Sequence, residues 1–262
     1  MNMATRLHPA GARDERADGH VADTTYAVGD VHGCYDLLTD LLHRIVADIE
    51  STPASGLVEL IFLGDYIDRG PETASVLSSL VWIERNGPLP AIFLKGNHEQ
   101  AMLDFIADPV QHSPWLRVGG AETLRSYCIA PPDEVGPDAD YVELRDLLLD
   151  RLPAAHLDFL QRLRLYHEND RYVFVHAGIR PGVAMRAQDH EDLLWIRDEF
   201  LANERPAKKR VVHGHSWIDA EPVVRPGRIG VDTGAYRTGT LTAAKLRDGA
   251  VTFLQARSAA IA

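Results

Sequence analysis

The chain reads as an α/β protein built on a largely parallel sheet. Three observations carry that prediction: short β-rich apolar runs recur along the sequence, each leads into Gly beside Asp, Asn or His, and amphipathic helices separate the first of them. The runs are Thr25 to Val28, Val58 to Leu63, Ile92 to Leu94, Tyr172 to Val175, and Val211 to Val212. Strand, helix, strand, helix, strand in that order implies βαβ crossovers in a largely parallel sheet. In such a sheet the loops beyond the strands' carboxyl ends gather in one crevice, so residues far apart in sequence share a site.

The first helix is predicted from Leu37, Leu38, Leu41, Leu42, Ile45, Val46 and Ile49, which fall on one face at helical spacing. The second carries Val76, Leu77, Leu80 and Val81, with Pro71 placed to suit a first helical turn. From about 99 to 163 the pattern turns helical and irregular, predicting a helical insertion beside the site. Its apolar residues Leu124, Tyr127, Leu144, Leu148, Phe159 and Leu163 are expected in the core. Strand-like segments return at Arg228 to Val231, Leu241 to Leu246 and Val251 to Leu254, and these are expected to form a second sheet packed on the first.

No Pro/Gly/Ser-rich linker divides the 262 residues, so residues 23–262 are expected to form a single domain. Residues 1–22 lack the apolar core of a secretory signal and read as a disordered tail. No stretch approaches the roughly 20 apolar residues that span a bilayer, so no membrane partner is expected. A net charge of -11 without basic runs argues against nucleic acid. Any phosphate must therefore be bound by a local site that reverses the sign. Two cysteines, Cys34 and Cys128, are too few for a disulfide framework and read as reduced thiols of a cytoplasmic protein. The oligomeric state leaves no sequence signal.

The chemistry lies at the five strand ends: Gly29-Asp30-Val31-His32-Gly33, Gly64-Asp65-Tyr66-Ile67-Asp68-Arg69-Gly70, Gly96-Asn97-His98-Glu99, His176-Ala177-Gly178 and His213-Gly214-His215. They offer carboxylates, imidazoles and one amide oxygen but no thiolate, which suits manganese, iron or zinc and not a sulfur-held structural zinc. A lone strand-end Asp more often caps a turn. Five strand ends bearing ligand-type residues beside Gly are not explained that way. Two ions roughly 3.5–4 Å apart need a shared ligand, for which a carboxylate with two oxygens is suited, and Asp65 is the candidate.

The ordered set GDVHG, GDYIDRG, GNHE, HAG and GH, spanning Gly29 to His215, resembles the metal-dependent phosphoprotein phosphatases of the bacterial serine/threonine type, within the calcineurin-like metallophosphoesterases. The resemblance implies a fold of two packed mixed β-sheets flanked by helices, an αββα sandwich. It implies two divalent ions, manganese expected and iron or zinc compatible. Asp30, His32 and Asp65 would hold the first ion, and Asp65, Asn97, His176 and His215 the second, with His213 supporting or structural. His98 corresponds to the proton donor to the leaving alcohol, oriented by Asp68. Arg69 and Arg197 correspond to arginines that clamp the phosphate, and Asn97 also touches substrate. Tyr236 is read either as reaching the rim of the site or, with at least equal weight, as structural, and Glu99 is expected behind the ligands.

The expected activity is hydrolysis of phosphate monoesters by attack of a metal-bridging hydroxide, on phosphoserine and phosphothreonine in proteins, with phosphotyrosine or a small phosphate ester as further substrates. A second reading is a symmetrical dinucleoside polyphosphate hydrolase acting on diadenosine tetraphosphate. Those relatives generally carry Ala at the position of Asp68 and Asp at that of Glu99, which favours the phosphatase. A third, a catalytically silent metal-binding scaffold, is disfavoured because every position of the signature is filled.

Overall fold

A computed structural model of the chain describes residues 22–51, 56–131, 138–203 and 205–258. The tail expected over residues 1–22 therefore lies outside the described residues except for Ala22. In chain order the elements are β1 (Thr24–Val28), α1 (Tyr35–Ser51), β2 (Val58–Phe62), α2 (Thr73–Asn86), β3 (Ala91–Phe93), α3 (Asn97–Ala107), a 3-10 segment (Ser113–Val118), α4 (Gly120–Ser126), α5 (Asp138–Arg151) and α6 (Ala154–Arg162). There follow β4 (Tyr166–Glu168), β5 (Tyr172–Val175), α7 (His190–Trp195), α8 (Asp198–Leu201), β6 (Arg210–His213), β7 (Val223–Val224), β8 (Arg228–Gly230), α9 (Ala235–Thr238), β9 (Thr240–Arg247) and β10 (Ala250–Arg257).

Two five-stranded sheets result, in the orders β10-β9-β1-β2-β3 and β4-β5-β6-β8-β7. Both are mixed. Strands β1, β2 and β3 run parallel while β9 and β10 join antiparallel, and β5, β6 and β8 run parallel while β4 and β7 pair antiparallel at the edges.

The alternation of each strand builds three apolar layers. Ala27, Ile61 and Leu63 of the first sheet meet Tyr172, Phe174, Val212 and Ile229 of the second, which is the seam between the sheets. The opposite face of the first sheet, with Tyr26, Val28, Leu60, Phe62 and Phe93, packs on α1 to α6. Val175 and Val211 on the outer face of the second sheet pack on Leu193, Ile196 and Phe200 of the α7–α8 segment. Helix, sheet, sheet and helix layers thus give the expected sandwich.

The helical stretch between β3 and β4 covers the first sheet with Leu124, Tyr127, Leu144, Leu148, Phe159 and Leu163, all buried as the pattern requires. Each fully buried side chain of that size contributes about 1.5–3 kcal/mol. Three expectations are corrected. The segments Leu241 to Leu246 and Val251 to Leu254 do not form the second sheet. They return to the first as β9 and β10, because β9 pairs with β1 through the register Thr24 to Arg247. Pro71 precedes α2 without entering it: the Glu72 N–H is tied to the Gly33 carbonyl at 3.0 Å, and the helix begins behind that bond. Val46 is half exposed on α1, one position outside the buried stripe of Leu37, Leu38, Leu41 and Ile45.

Candidate metal centre and active site

The parallel strands of both sheets end on one side of the seam, and their loops bring the chemistry together. Asp30 and His32 follow β1, Asp65, Asp68 and Arg69 follow β2, Asn97 and His98 open α3 behind β3, His176 follows β5, and His215 follows β6. Seven described non-Gly residues have positive φ, and five of them are His32, Asp65, Asp68, Arg69 and His215, at 44° to 70°. Left-handed backbone costs about 1 kcal/mol or more at a non-Gly residue, and its concentration here marks loops constrained for function. Gly96 is required by contact: a Cβ there would lie 2.1 Å from Asp65 Oδ1.

Hydrogen bonds to carbonyls fix the imidazoles. His32 Nδ1 donates to the Ile67 carbonyl and His176 Nδ1 to the Leu63 carbonyl, each at 2.9 Å. In a neutral ring the other nitrogen then carries only a lone pair. Burial pushes the pKa of His32 down to about 3 and that of His176 down, so both rings are neutral.

Their Nε2 lone pairs face the Asp65 carboxylate from two sides, His32 at 3.4 Å from Oδ2 and His176 at 3.4 Å from Oδ1. The Asn97 Oδ1 also lies 2.9 Å from His176 Nε2 and 3.0 Å from His215 Nδ1. His176 Nε2 thus aims its lone pair at two acceptors, Asp65 Oδ1 and Asn97 Oδ1, an arrangement that repels unless a cation lies among them. Asp30 Oδ1 and His215 Nε2 are buried without any hydrogen-bond partner. This donor set fits divalent ions of the manganese, iron and zinc kind, with imidazole and carboxylate ligands and ring nitrogens already oriented from behind.

Among the described residues, two groupings have ligand atoms within 4.8 Å of one another: His32, Asp65 and His98, and Asp65, His176 and His215. Asp65 belongs to both, as a bridging carboxylate must. Asp30 belongs to neither; its Oδ2 accepts the His215 backbone N–H at 2.9 Å, and its Oδ1 is the unpartnered oxygen. Among these charges Asp65 stands apart. Burial raises its pKa, and only imidazoles that carried a proton, His176 foremost, would hold it below the usual carboxylate range. Burial, with Asp232 and Asp65 beside it, pushes Asp30 well up.

His98 is the member with a different partner. Its Nδ1 lies 2.7 Å from Asp68 Oδ2, its backbone N–H donates to Asp65 Oδ1 at 3.1 Å, and its Nε2 is 3.9 Å from Asp65 Oδ2. Burial alone would lower its pKa, yet the carboxylates of Asp65 and Asp68 outweigh this and raise it. Asp68 is fully buried, with Oδ2 also accepting from Trp115 Nε1 at 2.8 Å and Oδ1 accepting from Thr123 Oγ1 at 2.6 Å.

Arg69 extends Nη1 to 3.2 Å from His32 Nε2, with its guanidinium 4.8 Å above the Tyr236 ring. Tyr236 is partly exposed at the rim and meets the His32 ring edge-on at 5.2 Å. Arg197 is not on a helix. It occupies the break between α7 and α8, is exposed, and its charge disfavours protonation of His176 and His215. His213 points elsewhere, toward the Gly214 carbonyl and the Phe200 ring. Glu99 lies behind the loop, its carboxylate accepting the N–H groups of Asp65, Tyr66 and Gly96 at 2.7–2.9 Å.

Sequence reasoning passed over four neighbours. Trp115 and Thr123 hold Asp68 from the helical stretch, and no local pattern tied them to a residue some fifty positions earlier. Gly119 accepts the Arg69 N–H on its carbonyl at 3.2 Å. Asp232 follows β8 as a sixth strand end, beside Asp30, with Oδ1 accepting the Gly234 N–H at 2.8 Å. Its signal was present, since Val231-Asp232-Thr233-Gly234 again sets a ligand-type residue near Gly directly after a short β-rich run.

The family profile described as calcineurin-like phosphoesterase matches residues 24–238. Serine/threonine-protein phosphatase 1 of Salmonella typhimurium is 31% identical over 229 residues, covering 85% of this chain and 91% of that protein. The symmetrical bis(5'-nucleosyl)-tetraphosphatase of Dechloromonas aromatica is 32% identical over 166 residues, and the match spans 63% of this chain but only 48% of that protein. A solved structure provisionally described as a diadenosine tetraphosphatase superposes with a TM-score of 0.62 at 21% identity, covering 91% of this chain and 96% of that one, which shows the shared fold. With the profile spanning eight of the ten described strands and every strand-end motif inside it, the chain belongs to the calcineurin-like phosphoesterase family.

Proposed function

We propose that the chain is a protein phosphatase that hydrolyses phosphoserine and phosphothreonine esters, with phosphotyrosine as a further substrate. Asp30, His32 and Asp65 would hold one divalent ion, and Asp65, Asn97, His176 and His215 a second. Bound there, the ions supply Lewis-acid neutralisation of the phosphoryl oxygens and a water acidified toward neutrality. The chain's own residues do the rest. Arg69 and Arg197 present forked guanidiniums to the phosphoryl oxygens from either side of the cluster. His98 keeps one proton on Nδ1 against Asp68, so that when protonated it offers the second from Nε2 to the departing oxygen. An alkyl leaving group needs that proton more than a polyphosphate does.

The observation that carries this reading is the 2.7 Å His98–Asp68 pair, held by Trp115 and Thr123 beside Asp65. The near full-length likeness to a serine/threonine phosphatase supports it, with 91% of that protein covered. The alternative substrate, a symmetrical dinucleoside polyphosphate, is favoured by the 32% identity to the tetraphosphatase, though that likeness spans about half of the relative.

Steady-state hydrolysis in defined manganese, comparing kcat/KM for a phosphothreonine peptide, a phosphotyrosine peptide and diadenosine tetraphosphate, separates the readings. A phosphopeptide is expected to be the better substrate. Preference for the dinucleotide would replace the proposal with its alternative, and no turnover of any of the three would sink both.

A further inference from the structure

Arg197 owes its place to a backbone break. Helix α7 ends at Trp195, the Ile196 N–H closes on the Asp192 carbonyl at 3.1 Å, and Arg197 itself has φ −130° and ψ −93° before α8 begins. Ile196 and Phe200 anchor the two sides of the break in the apolar layer of Val175, Ala177 and Val211. Those contacts fix the depth of the segment. They do not fix the angle between two helices of six and four residues.

That angle is spanned by one side chain. Arg180, in the loop that leaves His176, donates from Nε to Asp192 Oδ2 and from Nη2 to Asp192 Oδ1, both at 2.7 Å, and from Nη1 to Glu199 Oε2 at 2.7 Å. Asp192 belongs to α7 and Glu199 to α8, so the guanidinium joins the two helices across the residue between them. The Arg180 backbone is itself fixed, its N–H donating to Gln188 Oε1 at 2.8 Å and its carbonyl accepting from Gln188 Nε2 at 3.1 Å. Arg197, by contrast, makes no hydrogen bond or ion pair among the described residues. Its charge nevertheless reaches His176 and His215.

We infer that Arg180 is a positioning residue for Arg197: its fork ties Asp192 to Glu199 across the α7–α8 break and so holds the Arg197 guanidinium over the site. Lysine cannot reproduce this, because a single ammonium cannot present two parallel donors to Asp192 and a third to Glu199. Arg180 touches none of the residues that would hold ions or phosphate, and the inference rests on Arg197 binding the phosphoryl group.

The test is a double-mutant cycle on the manganese-loaded enzyme with Arg180→Ala, Arg197→Ala and the pair, reading kcat/KM for a phosphothreonine peptide, the inhibition constant of inorganic phosphate, and metal content. Arg180→Ala is expected to lower kcat/KM by about tenfold, mainly through KM, and to weaken phosphate inhibition in parallel, with metal content unchanged. The double variant should be no worse than Arg197→Ala alone. Arg180→Lys should recover little, and Asp192→Asn should reproduce the loss without altering the arginine. Losses that multiply in the double variant, or an Arg180→Ala enzyme with unaltered KM and phosphate inhibition, would overturn the inference while leaving Arg197 in its role. A harmless Arg197→Ala would instead remove that role, and the inference with it.

Discussion

The two sides of the site treat their buried carboxylates differently. Around Asp68 the accounts of donor and acceptor close: Oδ1 has Thr123, Oδ2 has His98 and Trp115, and the Asp68 N–H has the Thr73 and Thr123 hydroxyls. At the strand ends they do not close. Asp30 Oδ1 is buried and unpartnered, Asp232 adds a second buried carboxyl beside it, and ring lone pairs face the Asp65 carboxylate. A buried polar group without a partner is costly, so a folded chain that keeps several together is built to receive something else. The first side is finished by protein alone and orients a proton. The second side is complete only with cations.

The largest predicted effect breaks the strand-end side at its shared member. Asp65→Asn keeps the shape but removes the charge that both groupings use. It should lose dinuclear binding by elemental analysis and lower kcat on the order of 10³-fold or more, since several kcal/mol of transition-state stabilisation go with the ions. Manganese should raise the Tm of the parent protein and not that of the variant. Full metal occupancy in Asp65→Asn would refute the bridging assignment.

Breaking the other side should give the opposite signature. His98→Asn is expected to lower kcat by roughly 10²–10⁴-fold with metal content intact, more for alkyl than for aryl phosphates, whose better leaving groups depend less on a proton. Loss of metal in this variant would place His98 among the ligands, where its 3.9 Å approach to Asp65 also puts it within reach.

The two sides also differ in how far they can be read from the chain. Strand-end residues are legible because each sits beside Gly immediately after a short apolar run, a local pattern that fixes both backbone and chemistry. The same locality made β1, β2 and β3 and their crossovers readable. What surrounds Asp68 is assembled over distance: Trp115 and Thr123 reach it from helices whose own sequence signals only burial. Sheet membership failed for the same reason. Nothing within Leu241 to Leu246 says which edge it will pair with, and the β1 edge became its partner through contacts more than two hundred residues apart. Arg197 was found by resemblance, while the fork of Arg180 that spans its break has no counterpart in the local pattern.

A smaller effect measures how much the closed network matters. Trp115→Phe removes one donor to Asp68 Oδ2 and keeps most of the packing against Phe105. A hydrogen bond to a charged buried acceptor is worth about 1.5–3 kcal/mol, so kcat for an alkyl phosphate should fall about tenfold or somewhat more, with KM and metal content little changed. An unaltered kcat would mean that Thr123 and His98 suffice to hold the carboxylate.

The smallest effect concerns the helical stretch where it touches the phosphate side. Gly119 has φ +131°, and a Cβ there would stand 2.8 Å from both the backbone N and the Cγ of Arg69. Gly119→Ala should therefore cost about 1–3 kcal/mol of stability through backbone strain, read as a lower Tm. Because the displaced atoms belong to Arg69, KM and the phosphate inhibition constant should rise a few-fold while the His98-dependent preference between aryl and alkyl esters stays as in the parent. A variant that loses stability but keeps its KM would confine Gly119 to the fold. One that changes the leaving-group preference would show that Arg69 and the Asp68–His98 pair move together, and the separation of the two sides would not hold.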